Sequence, residues 1–128
     1  TGACMVALGP YRAALYAHDD KLAQAYLDAS EEAAESLWRM PLDKQLRPAL
    51  RSAVADLQHI GGPFGGSITA ALFLQEFVGD VPWMHLDIAG PAFLERAHGQ
   101  MPKGGTGFGV ATAVRFLESI GAGKAKKK

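Results

Sequence analysis

At 128 residues and 48% apolar content, the chain is long enough for one hydrophobic core, because a domain of this size withdraws roughly two thirds of its unfolded surface from water. Thirteen basic and thirteen acidic residues cancel, which excludes an overall field that would gather nucleic acid, an anionic membrane or an acidic substrate. A single cysteine, Cys4, excludes an internal disulfide framework, and no stretch has the length of a membrane span or the pattern of a secretory signal, so the sequence reads as soluble and cytoplasmic.

The chain opens on "TGACMVALG", without an initiator Met and apolar from residue 3, as though cut within a domain. Thr1 could act as an amino-terminal nucleophile with its own amine as base, but nothing else in the sequence supports that chemistry. Residues 2–8 read as a short apolar helix closed by Gly9-Pro10, and "AALYA" (13–17) as a strand. Asp19 or Asp20 caps an amphipathic helix, with Leu22, Ala25, Tyr26, Ala29 and Ala33 inward and Lys21, Gln24, Asp28, Glu31, Glu32 and Glu35 on the other face. Pro41 in "WRMPL" ends it. A second helix follows, with Leu46, Leu50 and Val54 inward and a start or kink at Pro48. The glycine cluster "GGPFGG" (61–66) leads into "SITAALFLQEFV", a helix capped by Ser67 and apolar nearly all round, which must be covered on both sides.

"WMHLDI" reads as a strand with Met84, Leu86 and Ile88 on one face and Trp83, His85 and Asp87 on the other. A second glycine-rich loop, "KGGTGFG" (103–109), opens a last helix whose inward stripe is Val110, Ala113, Val114, Leu117 and Ile120, stopped by Gly121. Residues 121–128 form a flexible basic tail, solvated rather than an arm for nucleic acid. Strands separated by helices predict an α/β chain of three layers, α/β/α, with a mostly parallel central sheet and no second domain.

The chemistry offered is sparse: His18, His59, His85, His98 and scattered carboxylates. His85 and Asp87 share a strand face, which suits a shared metal, but two ligands do not fix a catalytic ion. A histidine held by hydrogen bonds beneath a sheet is the preferred reading. Asp56 and His59, three apart, suggest a local hydrogen bond, and His18 and His98 read as solvated. The glycine clusters could cradle a phosphate through backbone N–H groups. Neither matches a P-loop or a dinucleotide fingerprint, so close backbone packing is the better reason for both.

Six blocks, "TGACMVALG", "WRMPL", "ADLQHIGG", "SITAALFLQEFV", "PWMHLDIAGPAF" and "KGGTGFGV", stand in the order and at nearly the spacing of the carboxyl-terminal catalytic domain of leucyl aminopeptidases. The chain resembles that domain from residue 1 to about 120, and "HLDIAG" preceded by "PW" is the most specific piece. The resemblance implies removal of amino-terminal, Leu-like residues from peptides by two divalent metal ions, zinc or manganese, that activate a bridging water, in a homohexamer whose active sites face an internal cavity. It also implies that the metal ligands, catalytic lysine and catalytic arginine belong to motifs upstream of Thr1, leaving no metal ligand and no catalytic residue here. What carries over is the substrate wall: Thr1 and Gly2 match the turn beside the metal pair, Ile60 the pocket for the second substrate residue, and Ala89 and Ala92 the pocket for the first. The plain alternatives are a strand-to-helix turn for Thr1 and Gly2, and ordinary packing for the others. The sequence departs from many relatives in lacking a glycine before Leu15 and in having Ala111 where arginine is frequent.

Three functions are thus in play: part of a metallo-aminopeptidase with its upstream part as partner, a noncatalytic structural or assembly fragment, and, more distantly, an anion-binding module. Residues just beyond the carboxyl end of a strand are where open α/β sheets hold ligands, and Ala89 and Ala92 lie there. On that reading His85 and Asp87 shape the strand end and are neither ligands nor an acid–base pair.

Overall fold

The computed structural model describes residues 1–125. The end of the expected basic tail, residues 126–128, lies outside them. Central strand β1 (Ala13–Ala17) is buried along its whole length and pairs on both edges, with β2 (Leu37–Arg39) in parallel and with β3 (Met84–Asp87) in antiparallel register, Tyr16 opposite His85. A right-sized helical crossover explains the parallel pair: α2 (Asp20–Glu32) carries the chain from β1 to the neighbouring strand. The α/β class and its layering match expectation. The sheet of these residues is mixed rather than mostly parallel, because β3 returns from the opposite side after the 3-10 helix Lys44–Leu50 and helix α3 (Gly66–Gln75).

Alternation along β1 feeds two cores. Leu15 and Ala17 meet Ala23, Tyr26 and Ala29 of α2 and Phe116 of α4 (Val110–Ala125) on one face. Ala14 and Tyr16 meet Cys4 of α1 (Gly2–Leu8) and Ala71 of α3 on the other. The pattern in β3 follows: Met84 and Leu86 join the first core and Trp83 the second. A small antiparallel pair, β4 (Phe93–Leu94) and β5 (Gly104–Gly105), closes the loop that follows β3. Gly90 is obligatory in that loop, since a Cβ there would lie 2.6 Å from the Gly9 carbonyl oxygen.

Several local expectations are corrected. Asp19 caps α2 by accepting from Leu22 N at 2.7 Å, as its position suggested, but the buried residues are Ala23, Tyr26, Ala29 and Ser30, while Ala25 is exposed. The second helix shrinks to the 3-10 turn around Pro48, which removes an amide donor, and Val54 is 96% exposed in an irregular segment. Ser67 does not cap α3; Gly65 takes that place and the Ser67 hydroxyl turns into the core. Gly121 does not stop the last helix, which continues to Ala125. Its expected inward stripe faces outward, Val110 and Leu117 each being 65% exposed, whereas Thr112 and Phe116 pack inward. Glu35 is not a solvent-face residue: its carboxylate accepts from Gly109 N at 2.8 Å, Thr112 N at 2.9 Å and Thr112 Oγ1 at 2.5 Å, satisfying the free amides at the start of α4. The first glycine cluster is packed closely, a Cβ on Gly65 falling 2.6 Å from Leu46 Cδ1, but Gly104, Gly107 and Gly109 meet nothing and serve instead at positive φ.

Candidate functional site

The end of β3 and the start of α1 meet at one carboxylate. Asp87 is 3% exposed. Its Oδ1 accepts from Thr1 N at 2.6 Å and from Ala89 N at 3.3 Å, and its Oδ2 from Thr1 Oγ1 at 2.6 Å and Ser67 Oγ at 2.9 Å. Ser67 is free to donate because it accepts from the Tyr16 hydroxyl at 2.6 Å. Thr1 Oγ1 likewise accepts from Cys4 N at 3.0 Å, which makes Thr1 the cap of α1. The Cys4 thiol completes the set by donating to the Asp87 carbonyl at 3.6 Å.

Four donated hydrogens converge on the Asp87 carboxylate, so the ionised form is the one the site holds. Burial alone would raise its pKa, yet hydrogen bonds from the Thr1 nitrogen, the Thr1 hydroxyl and Ser67 outweigh burial and leave it below the usual 3.8. Burial pushes the Tyr16 hydroxyl up to about 12, keeping it a donor, and together with the Asp87 charge it pushes the Cys4 thiol up as well.

His85 takes no part in this network. Its ring stacks on Tyr16 at 5.9 Å and on Trp83 at 6.3 Å between centroids, and among the described residues its side chain makes no hydrogen bond. The histidine is therefore stacked, not hydrogen-bonded, because the neighbouring carboxylate is already saturated. Burial holds its pKa below 6.5, against the opposing pull of Asp87. Asp56 and His59 are both exposed and share no hydrogen bond among the described residues. His98 is exposed but its ring stacks on Tyr11 at 3.7 Å. No three His, Cys, Asp or Glu side chains converge on one point among the described residues, and no helix there is long and apolar enough to cross a membrane.

An apolar cleft of about 480 Å³ opens beside β3, lined by Thr1, His59, Phe73, His85 and Ala89 among others. Of the residues singled out from the sequence, Thr1 and Ala89 come together in this lining. Gly2 adjoins Thr1 as the exposed first residue of α1, and a Cβ on it would meet nothing. Ile60, 66% exposed, adjoins His59 in the irregular segment. Ala92 does not line the cleft; its amide donates to Ile88 O at 3.0 Å and its carbonyl accepts from Thr106 N at 3.1 Å. Sequence reasoning missed Ser67 and Tyr16. Their signal was a hydroxyl at the start of an apolar helix and a tyrosine within an apolar strand, both of which need a buried partner.

A sheet between two helical layers, with a cleft beside the carboxyl end of one strand, defines part of an α/β domain of the kind that holds ligands at strand ends. The chain belongs to the cytosol aminopeptidase family: the description "Cytosol aminopeptidase family, catalytic domain" matches residues 1–114. It is 51% identical over 119 residues to the "Probable cytosol aminopeptidase" of Picosynechococcus, an alignment covering 93% of this chain and 24% of that protein. It is 50% identical over 119 residues to "Leucine aminopeptidase 1" of Arabidopsis thaliana, covering 92% and 22%. Among solved structures it is similar to the bottromycin maturation enzyme BotP in complex with Mn, at TM-score 0.90 and 48% identity, covering 94% of this chain and 27% of that one. A tomato leucine aminopeptidase mutant aligns at TM-score 0.83 and 43% identity, covering 91% and 22%. The chain thus spans about a quarter of the length of the curated relatives it matches.

Proposed function

We propose that this chain is the carboxyl-terminal part of the catalytic domain of a metal-dependent aminopeptidase, and that it supplies the wall against which the amino-terminal residue of a peptide is held. The observation that carries the reading is the meeting of Thr1 and Ala89 in one apolar cleft at the end of β3. Small side chains leave room there for a Leu-like group, and the apolar lining of Phe73, Leu86 and Ile88 suits it. Ala92 would back Ala89 in the pocket for the first residue, Gly2 would belong with Thr1 to the turn beside the metal pair, and Ile60 would reach the second residue.

Two divalent ions, zinc or manganese, would supply a Lewis acid and a low-pKa water when bound. The described residues do not fit such a pair. No ligand set converges among them, and the carboxylate nearest the cleft is saturated by four donors. On this reading, as the resemblance implies, residues upstream of Thr1 would hold the ions. A homohexameric assembly and a cytoplasmic location complete the reading, the latter supported by the cytosol aminopeptidase names of its relatives.

The test is hydrolysis of Leu-p-nitroanilide, with zinc or manganese added, by the complete polypeptide that carries residues 1–128 and by these residues alone. The complete polypeptide is expected to release p-nitroaniline and the 128-residue chain to be inactive. Hydrolysis by the chain alone would contradict the assignment and return attention to Thr1 as a nucleophile.

A further inference from the structure

Resting on the function just proposed, we infer that Asp87 is a positioning residue that sets the spacing between Thr1 and Ala89 and so tunes which amino-terminal side chains the cleft accepts. The two sides of the cleft come from distant parts of the chain, yet the Thr1 nitrogen, a terminal ammonium in this chain, and the Ala89 amide donate to the same oxygen, Asp87 Oδ1, and the Thr1 hydroxyl, which is independent of any residue before it, donates to Oδ2. Among the described residues Asp87 is the only acceptor they share. The carboxylate cannot follow a drifting Thr1, because Ser67 of α3 and, through Ser67, Tyr16 of β1 hold its other oxygen. At 3% exposure, with about four lone-pair sites and four donors filling them, it is not available to a substrate. Its effect is exerted on the geometry of others. Displacements of about 1 Å in such walls change turnover by about a hundredfold, and a methylene in an apolar pocket changes discrimination by about tenfold or more.

Asp87→Asn keeps the shape but replaces an acceptor with a donor aimed at hydroxyls already committed to donating. Ser67→Ala removes one anchor and leaves Asp87 ionised. Both are made in the complete polypeptide, and kcat and KM are measured on Ala-, Leu- and Phe-p-nitroanilide with manganese present, alongside thermal melting. Asp87→Asn is expected to raise KM and to shift the Leu-to-Ala ratio of kcat/KM by about tenfold, with Ser67→Ala moving both in the same sense by less. A purely structural role predicts another pattern, a smaller active fraction that lowers kcat equally for every substrate and leaves KM and the ratio unchanged. That pattern in both variants overturns the inference. If Asp87→Asn does not fold, the ratio in Ser67→Ala decides alone. A wild-type polypeptide inactive on all three substrates refutes the aminopeptidase reading itself, a result distinct from unchanged selectivity.

Discussion

Thr1 and Asp87 stand 86 positions apart and are joined twice, from the Thr1 nitrogen to Oδ1 and from the Thr1 hydroxyl to Oδ2, each at 2.6 Å. The hydroxyl also caps α1. Replacing it removes a cap and strips one donor from a buried carboxylate, so Thr1→Val should cost about 1–3 kcal/mol in denaturant unfolding. Thr1→Ser, which keeps the oxygen, should cost about 0.5 kcal/mol or less. A loss in Thr1→Val no larger than in Thr1→Ser would show that the hydroxyl's hydrogen bonds add no net stability.

His85 predicts a pH dependence. Burial favours its neutral form and sets its folded pKa below 6.5, with Asp87 opposing. Between the folded and unfolded values the unfolded chain binds the extra proton, so stability is full above 6.5 and is lost as pH falls through the folded value. His85→Phe keeps a ring between Tyr16 and Trp83 and removes the titration. The melting temperature of the wild type relative to this variant should therefore fall between about pH 7.5 and about pH 5. A difference that does not change with pH would show that the imidazole binds its proton alike in the folded and unfolded chain.

Gly90 predicts a steric cost. A methyl group there would meet the Gly9 carbonyl at 2.6 Å and Pro10 Cα at 3.2 Å, both backbone atoms that do not swing aside. Gly90→Ala should destabilise by about 1–3 kcal/mol, whereas Gly2→Ala, with nothing within 4 Å of its Cβ, should be near neutral in the same unfolding experiment.

Val110, Val114 and Leu117 form an exposed stripe beside an apolar groove walled by Tyr26, Leu86 and Ile88, next to the edge of β3 that no strand pairs among the described residues. Taken alone the 128-residue chain should self-associate through this surface. Leu117→Lys with Val114→Lys should lower its sedimentation coefficient toward the monomer value without loss of helical circular dichroism. Unaltered association would place the sticky surface elsewhere, for example at Phe64 or Phe77.

Legibility in the sequence followed the range of the forces involved. Strand β1 and helix α2 were readable because their apolar spacing and the Asp19 cap act within a few residues. The division of β3 into two faces was readable for the same reason. Long-range contacts left little local trace. Nothing near Glu35 announces that it caps a helix 74 residues away, and nothing near Val110 shows that its stripe lies toward the open sheet edge. The helix expected around Val54 failed because Pro48 leaves only a 3-10 turn. At the candidate site, the place of Ala89 just after a strand was legible. The four donors to Asp87 were not legible, since they come from α1, α3 and the turn after β3, which only the fold assembles.

The account rests most heavily on Ala89 as a pocket wall, and steady-state kinetics of Ala89→Phe in the complete polypeptide test it most directly. Ala89 is half-buried in the cleft lining, so the larger ring should occupy the space of the substrate side chain while costing about 1–3 kcal/mol of stability at most. The predicted result is a fall of about tenfold or more in kcat/KM for Leu-p-nitroanilide, a smaller fall for Ala-p-nitroanilide, and a melting temperature lowered by no more than several degrees. Unchanged kinetics on the Leu substrate would contradict it.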